Sequence, residues 1–114
     1  MNLYEETMEV MMRHGKTEHD VFFCECYQMG RNGNMPIQFP FSVFKKNSHF
    51  DYNKCSGSEK VNNSLKIVFF DGSWLEREYY DGAEWWAFRQ RPVFISLMKD
   101  ETIDLSMEYY KWMK

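Results

Sequence analysis

The stretch LKIVFFDGSWLEREYYDGAEWWAF, Leu65 to Phe88, holds two Asp-Gly pairs, Asp71-Gly72 and Asp81-Gly82, which separate three runs of β-branched and aromatic residues. Both central residues of a type I′ turn need positive φ, which Gly adopts freely and Asp tolerates, so an Asp-Gly pair between such runs predicts a hairpin. Two in succession predict a three-stranded antiparallel meander over 65–88. Counting outward from a two-residue turn at Asp71-Gly72 opposes Phe69 to Trp74, Val68 to Leu75 and Ile67 to Glu76. The same count about Asp81-Gly82 opposes Glu78 to Trp85, Arg77 to Trp86 and Leu75 to Phe88. One face then carries Val68, Phe70, Leu75, Trp86 and Phe88, with Arg77 in cation–π reach of Trp86, and this is the expected core side. The other carries Phe69, Trp74, Glu76, Glu78, Trp85 and Arg89. A one-residue bulge exchanges the two faces.

On the N-terminal side, residues 2–14 predict a helix: Asn2 caps it, Glu5 and Glu6 suit its positive end, Arg13 and His14 its negative end, and Gly15 closes it. Leu3, Tyr4, Thr7, Met8, Met11 and Met12 share the stripe expected to face the core. VFFCECYQM, 21–29, alternates as a half-buried strand does, with Phe22, Cys24 and Cys26 on one side and Phe23, Glu25 and Tyr27 on the other. After the turn signal GRNGN, Pro36 and Pro40 forbid a regular central strand or a continuous helix. An extended segment ending in a helical turn at FSVFKKN is expected there. Residues 47–64 form a long polar loop. Beyond the meander, Val93 to Met98 reads as a short strand and TIDLSMEYYKWMK as a C-terminal helix, with Ile103, Met107, Tyr110 and Met113 at helical spacing.

A chain of 114 residues fits one domain, 1–114, without disulfide or metal staples. Ten Phe, seven Tyr, four Trp and nine Met exceed what a small core takes up, so part of this apolar surface is expected outside. A formal charge of −3 argues against general attachment to nucleic acid or an anionic membrane. The charge is segregated: residues 71–84 hold five acids against Arg77, and residues 45–66 hold five Lys against Asp51 and Glu59. Three cysteines, an odd number, with no charged-then-apolar signal segment point to a reducing cytoplasm. No apolar run approaches the roughly 20 residues of a spanning helix.

Cys24 and Cys26, with His14, His19, His49 and Cys55, supply the residue types of a metal site or a Cys–His hydrolase, but no knuckle or paired-ligand spacing organises them. Glu76 and Glu78 share a strand face as paired glycosidase carboxylates do, yet alternating acids on an exposed strand are usually solvation. GRNGN lacks the Lys-Ser/Thr of a phosphate cradle. No catalytic residue, metal or cofactor is therefore assigned. The aromatics Trp74, Tyr79, Tyr80, Trp85 and Trp86 have the chemistry to stack bases, but their neighbours are mostly acids. Trp, Tyr and Arg beside an acidic rim suit a protein interface better.

The stretch VFFDGSWLEREYYDGAEWW resembles small accessory proteins of large tailed bacteriophages of the T-even kind, where short, aromatic-rich, acidic chains without enzyme motifs are common. The resemblance covers about a sixth of the chain. It implies a protein made in the cytoplasm of an infected bacterium that binds and modulates or inhibits a host or defence-system protein.

The sequence thus predicts an α+β fold: a mainly antiparallel sheet built on the 65–88 meander, flanked by N- and C-terminal helices. The expected function is non-catalytic binding of a protein partner through Trp74, Glu76, Glu78, Trp85 and Arg89, with a homo-oligomer as one form of it. The alternatives are a nucleic-acid binder using the basic 45–66 loop, the sheet aromatics, Arg89 and Arg91, and a small Cys/His metal or hydrolytic enzyme.

Overall fold

The computed structural model describes residues 1–30, 33–92, 97, 102, 103, 105 and 106. The elements are helix α1 (Leu3–Arg13), a short 3-10 helix (Glu18–Asp20), strands β1 (Val21–Gly30) and β2 (Gly33–Phe39), helix α2 (Phe41–Asn47), and strands β3 (Lys66–Phe69), β4 (Trp74–Tyr80) and β5 (Ala83–Arg89). The five strands form one antiparallel sheet in the order β2-β1-β3-β4-β5, so the fold is α+β. Among the described residues no helix is long and apolar enough to cross a membrane. The strand expected at Val93–Met98 and the C-terminal helix fall largely outside the described residues. Leu97, Thr102, Ile103, Leu105 and Ser106, which are described, belong to neither a helix nor a strand.

The N-terminal helix forms where its caps put it. Asn2 Oδ1 accepts from the Glu5 amide at 3.0 Å, and the far end closes in a Schellman motif, with Gly15 N donating to Met12 O and Lys16 N to Met11 O. Gly15 takes the positive φ, +69°, that this closure needs. The buried stripe, however, is Leu3, Glu6, Thr7, Val10 and Met11, while Met12 is 77% exposed. The stripe is rotated toward Glu6 because that carboxylate has buried partners, described below. β2 is the edge strand that Pro36 demands, since Pro has no N–H to donate to a second neighbour. FSVFKKN is helical as expected, with Phe41 and Phe44 buried.

The two hairpins differ. At Asp81-Gly82 both residues have positive φ, 50° and 85°, and the register opposes Tyr80 to Ala83, Glu78 to Trp85 and Leu75 to Phe88, as the count predicts. At Asp71-Gly72 only Gly72 is left-handed. Gly72 N donates to Phe69 O and Phe69 N to Ser73 O, which is a type I turn followed by a left-handed residue, leaving Phe70, Asp71 and Gly72 as the loop. Asp71 favours it by accepting from the Ser73 amide at 2.9 Å. The Lys16 ammonium, which pairs with Asp71, and then Ser73 hold that carboxyl well below the usual carboxylate range.

The register of β3 therefore moves by one: Val68 opposes Trp74, Ile67 opposes Leu75 and Lys66 opposes Glu76. This corrects the expectation that Phe69 faces Trp74, and it exchanges the β3 faces. Ile67 and Phe69 enter the core; Val68 and Phe70 turn outward. A second irregularity lies between Val21 and Phe23, where β1 shifts register against β3. It places Val21, Cys24 and Cys26 inside and leaves Phe22 59% exposed, against the expected grouping of Phe22 with the cysteines. The core then joins Leu3, Val10 and Met11 of α1, Phe41 and Phe44 of α2, and Tyr52, Val61 and Leu65 of the long connection to Cys24, Ile67, Leu75 and Trp86 of the sheet. Both helices and the connection thus cover the same face.

Gly82 is constrained twice, by its φ of +85° and by Gly57, whose Cα lies 3.2 Å from where a Cβ would stand. Gly72 has a similar φ and open space around it. Both Gly→Ala changes are expected to destabilise, Gly72→Ala by about 1–2 kcal/mol and Gly82→Ala by more, read from urea midpoints; equal losses would remove the packing contribution.

Candidate functional site

Strand alternation delivers the outer face. On β4, residues Trp74, Glu76, Glu78 and Tyr80 point away from the core, opposite Arg89, Ala87, Trp85 and Ala83 of β5. All five residues expected to form a binding surface, Trp74, Glu76, Glu78, Trp85 and Arg89, meet on this face. Trp74 Nε1 donates to Glu76 Oε1 at 2.9 Å. Arg89 Nε lies 3.6 Å from the same oxygen, and its Nη2 pairs with Glu78. Exposed pairs of this kind contribute about 0–1 kcal/mol to stability, but here they hold a guanidinium and two carboxylates in one orientation beside Trp74.

The observed register brings further residues to this face. Phe23, Val68 and Trp74 form one row across β1, β3 and β4, and Glu25, Lys66 and Glu76 form the next. At the end of the apolar row Phe70, 67% exposed, stacks on Phe22 at 4.9 Å, and Phe22 meets Phe23 edge-on at 5.2 Å. Trp85 is 38% exposed. The apolar run in Val21-Phe22-Phe23 is the one sequence signal for this group, because three apolar residues in succession break strict alternation. The α-helices α1 and α2 pack on the opposite face.

The inner face is closed by charge as well as by apolar packing. Arg77 lies between Glu6 of α1 and Glu84 of β5, with Nη1 3.6 Å from Glu6 Oε1 and Nη2 3.0 Å from Glu84 Oε1. Its guanidinium sits 4.8 Å from the Trp86 ring and 5.6 Å from the Tyr52 ring. Glu84 also accepts from the backbone amides of Lys60, at 2.6 Å, and Val61, at 3.1 Å. The Tyr52 hydroxyl donates to Glu6 and accepts from Arg77, and Lys54 pairs with Glu6 at 2.9 Å. Trp86 Nε1 donates to Thr7 Oγ1 at 2.8 Å. Burial, reinforced by the bond to Glu6, pushes the Tyr52 phenol above its ordinary range.

The residues behind the alternative readings are dispersed. His14 stacks on Phe88 and His49 on Tyr4, while Cys24 and Cys26 are in the core and Cys55 is exposed. Among the described residues no three His, Cys, Asp or Glu side chains are grouped to hold a metal ion. Of the five Lys in 45–66, Lys54 is bound to Glu6, Lys66 stands between Glu25 and Glu76, and Lys45 lies over Tyr4. They do not make one basic strip. Compared with protein-family models, curated proteins and solved structures, the chain matches none.

Burial, with Cys26 beside it, pushes the Cys24 thiol from 9.0 up to about 12. Cys55 is therefore expected to react at once with a thiol reagent at pH 8, and Cys24 only on unfolding. The same shift fixes a pH dependence. Because Cys24 and Tyr52 hold their protons more tightly folded than unfolded, their contribution is intact below about pH 9 and is lost as pH rises toward 12. Urea midpoints should fall over that interval, and less steeply in Cys24→Ala; a flat profile to pH 12 would contradict the assignment.

Proposed function

We propose that this chain is a non-catalytic binding protein whose partner is another protein, engaged through the outer face of β1, β3, β4 and β5. One observation carries the reading: a sheet face with Phe22, Phe70 and Trp85 exposed, bordered by fixed charges from Glu76, Glu78 and Arg89, lies opposite the face on which α1 and α2 pack. Aromatic residues and Arg are the types that anchor protein interfaces, and a rim of both signs selects a complementary partner and fixes its register. Trp85 and Phe70 serve as anchors. Trp74, tied to Glu76, serves as the rigid floor between them.

In keeping with its resemblance to accessory proteins of T-even phages, we place the chain in the cytoplasm of an infected bacterium, binding and modulating or inhibiting a host or defence-system protein. The nucleic-acid reading has less support, since Arg89 is paired with two carboxylates and the lysines are scattered.

Trp85→Ala and Phe70→Ser remove exposed rings and are expected to leave Tm within a few degrees of the parent. Each should weaken capture of a partner from bacterial lysate by tenfold or more, with Lys46→Ala as an unaffected control. Retention of the same partner by the double variant would refute the outer-face assignment, and a salt-steep gel shift by the parent would favour nucleic acid.

A further inference from the structure

β5 is one edge of the sheet, and the geometry of its hairpin fixes which of its backbone groups face outward. The residues flanking a two-residue turn exchange both backbone bonds, and along an antiparallel pair such positions alternate. Starting from Tyr80 and Ala83, the exchanging pairs are Glu78 with Trp85, Glu76 with Ala87 and Trp74 with Arg89. Glu84, Trp86 and Phe88 therefore turn their N–H and C=O groups to the edge. Glu84 N donates there to Lys54 O at 2.9 Å, and Gly57 N donates to Gly82 O at 3.1 Å, so the long connection closes the first part of the edge. Among the described residues no backbone group meets those of Trp86 and Phe88 on that side. An open edge is a template for another strand, and natural edges are blunted by Pro, Lys, a bulge or a covering segment. β2, the opposite edge, has Pro36. From Trp85 to Arg89, WWAFR, β5 has neither Pro nor Lys and keeps an unshifted register with β4. Leu97, which would lie within a strand 93–98 folded back along this edge, belongs to no strand and is 79% exposed.

We propose that the 85–89 edge pairs antiparallel with the same edge of a second copy of this chain, about a twofold axis through Ala87. The strand is self-complementary in this register. Trp86 exchanges backbone bonds with Phe88 of the second copy, and Phe88 with its Trp86. Ala87, a small residue, meets its twin at the axis. On the outer face Trp85, 38% exposed, stands opposite Arg89 of the second copy, and the guanidinium that Glu76 and Glu78 orient lies within reach of the ring, twice by symmetry. Charge agrees with this arrangement: Arg89 is the one charged residue of the 85–89 edge, and the two copies of it lie at opposite ends of the paired strands. A slide of two residues toward the turn would bring Phe88 against Glu84, whose edge the long connection already occupies. A slide the other way sets Arg89 opposite Ala87 and leaves Trp85 without the guanidinium. The pairing uses the strand's edge, so it holds whether or not the sheet's outer face binds a host protein.

Five residues a side make a small interface, so a dimer of micromolar affinity, roughly 10–100 µM, is expected. The test uses the full-length protein with Cys55→Ser, which removes the exposed thiol and leaves Cys24 and Cys26 in the core. Sedimentation velocity should show monomer at about 2 µM and mainly dimer at about 500 µM. Over the same range, hydrogen exchange at the Trp86 and Phe88 amides should slow as concentration rises. Register is read by cross-linking at the dimer-forming concentration with diamide, comparing Ala87→Cys with Arg89→Cys in the same background. Twin residues at 87 have Cα atoms about 4.5 Å apart, within disulfide reach, and those at 89 about 13 Å apart, beyond it. Ala87→Cys, a nearly isosteric change, should cross-link at least tenfold faster. Monomer at every concentration, equal cross-linking at the two positions, or Trp86 and Phe88 amides equally protected at every concentration, as a strand from the same chain would make them, would each overturn the proposal.

Discussion

Arg77 is the side chain around which this fold closes. It occupies an inward position of β4, between Leu75 and Tyr79, so alternation alone drives a guanidinium toward the core. A charge placed there needs opposite charge around it, and it receives Glu84 from β5 and Glu6 from α1. Those two acids recruit the remaining parts. Glu84 holds the Lys60 and Val61 amides, and Glu6 holds Tyr52 and Lys54. A helix and a loop with no strand pairing to the meander are thereby fastened to its inner face. Withdrawing one member of such a set typically costs about 3–5 kcal/mol, because the others are left buried without a partner.

That fastening explains why the two sheet faces differ chemically. The helices α1 and α2 and the long connection converge on the Arg77 side, where they supply both apolar packing and countercharge. The other side retains Phe22, Phe70 and Trp85 at its surface, and its charged residues bond to each other within the sheet. The asymmetry is a consequence of charge placement as much as of hydrophobicity. With Leu in place of Arg77 the meander would still have an apolar inner face, but Glu6 would have no guanidinium to turn toward.

Local chemistry made several elements legible. Asn2 and Gly15 bound α1, Asp81-Gly82 sets the β4–β5 register, and FSVFKKN forms a helix after Pro40. The five outer-face residues follow from that one correct register, since Trp74, Glu76, Glu78, Trp85 and Arg89 all lie on β4 or β5. The β3 side did not follow, because Asp-Gly serves a type I′ turn at 81–82 and the second half of a type I turn at 71–72, and the dipeptide alone does not distinguish them. Ser73, able to bond back to Asp71, is the local difference. Phe22 turns outward at a bulge between Val21, which pairs with Phe69, and Phe23, which pairs with Val68, contacts distant in sequence. Glu6 and Tyr52 were illegible for the same reason: a buried acid in a helix declares itself only when its partner 71 residues later is known.

The central claim is that Glu84, held by Arg77, ties the long connection to the sheet. Native-state hydrogen exchange at the Lys60 and Val61 amides addresses it most directly, because both lie outside any strand or helix and donate to the Glu84 carboxylate. They are predicted to exchange as slowly as the Ile67 and Leu75 amides, opening only with global unfolding. Exchange as fast as at Ser58 and Glu59, their exposed neighbours, would contradict the account.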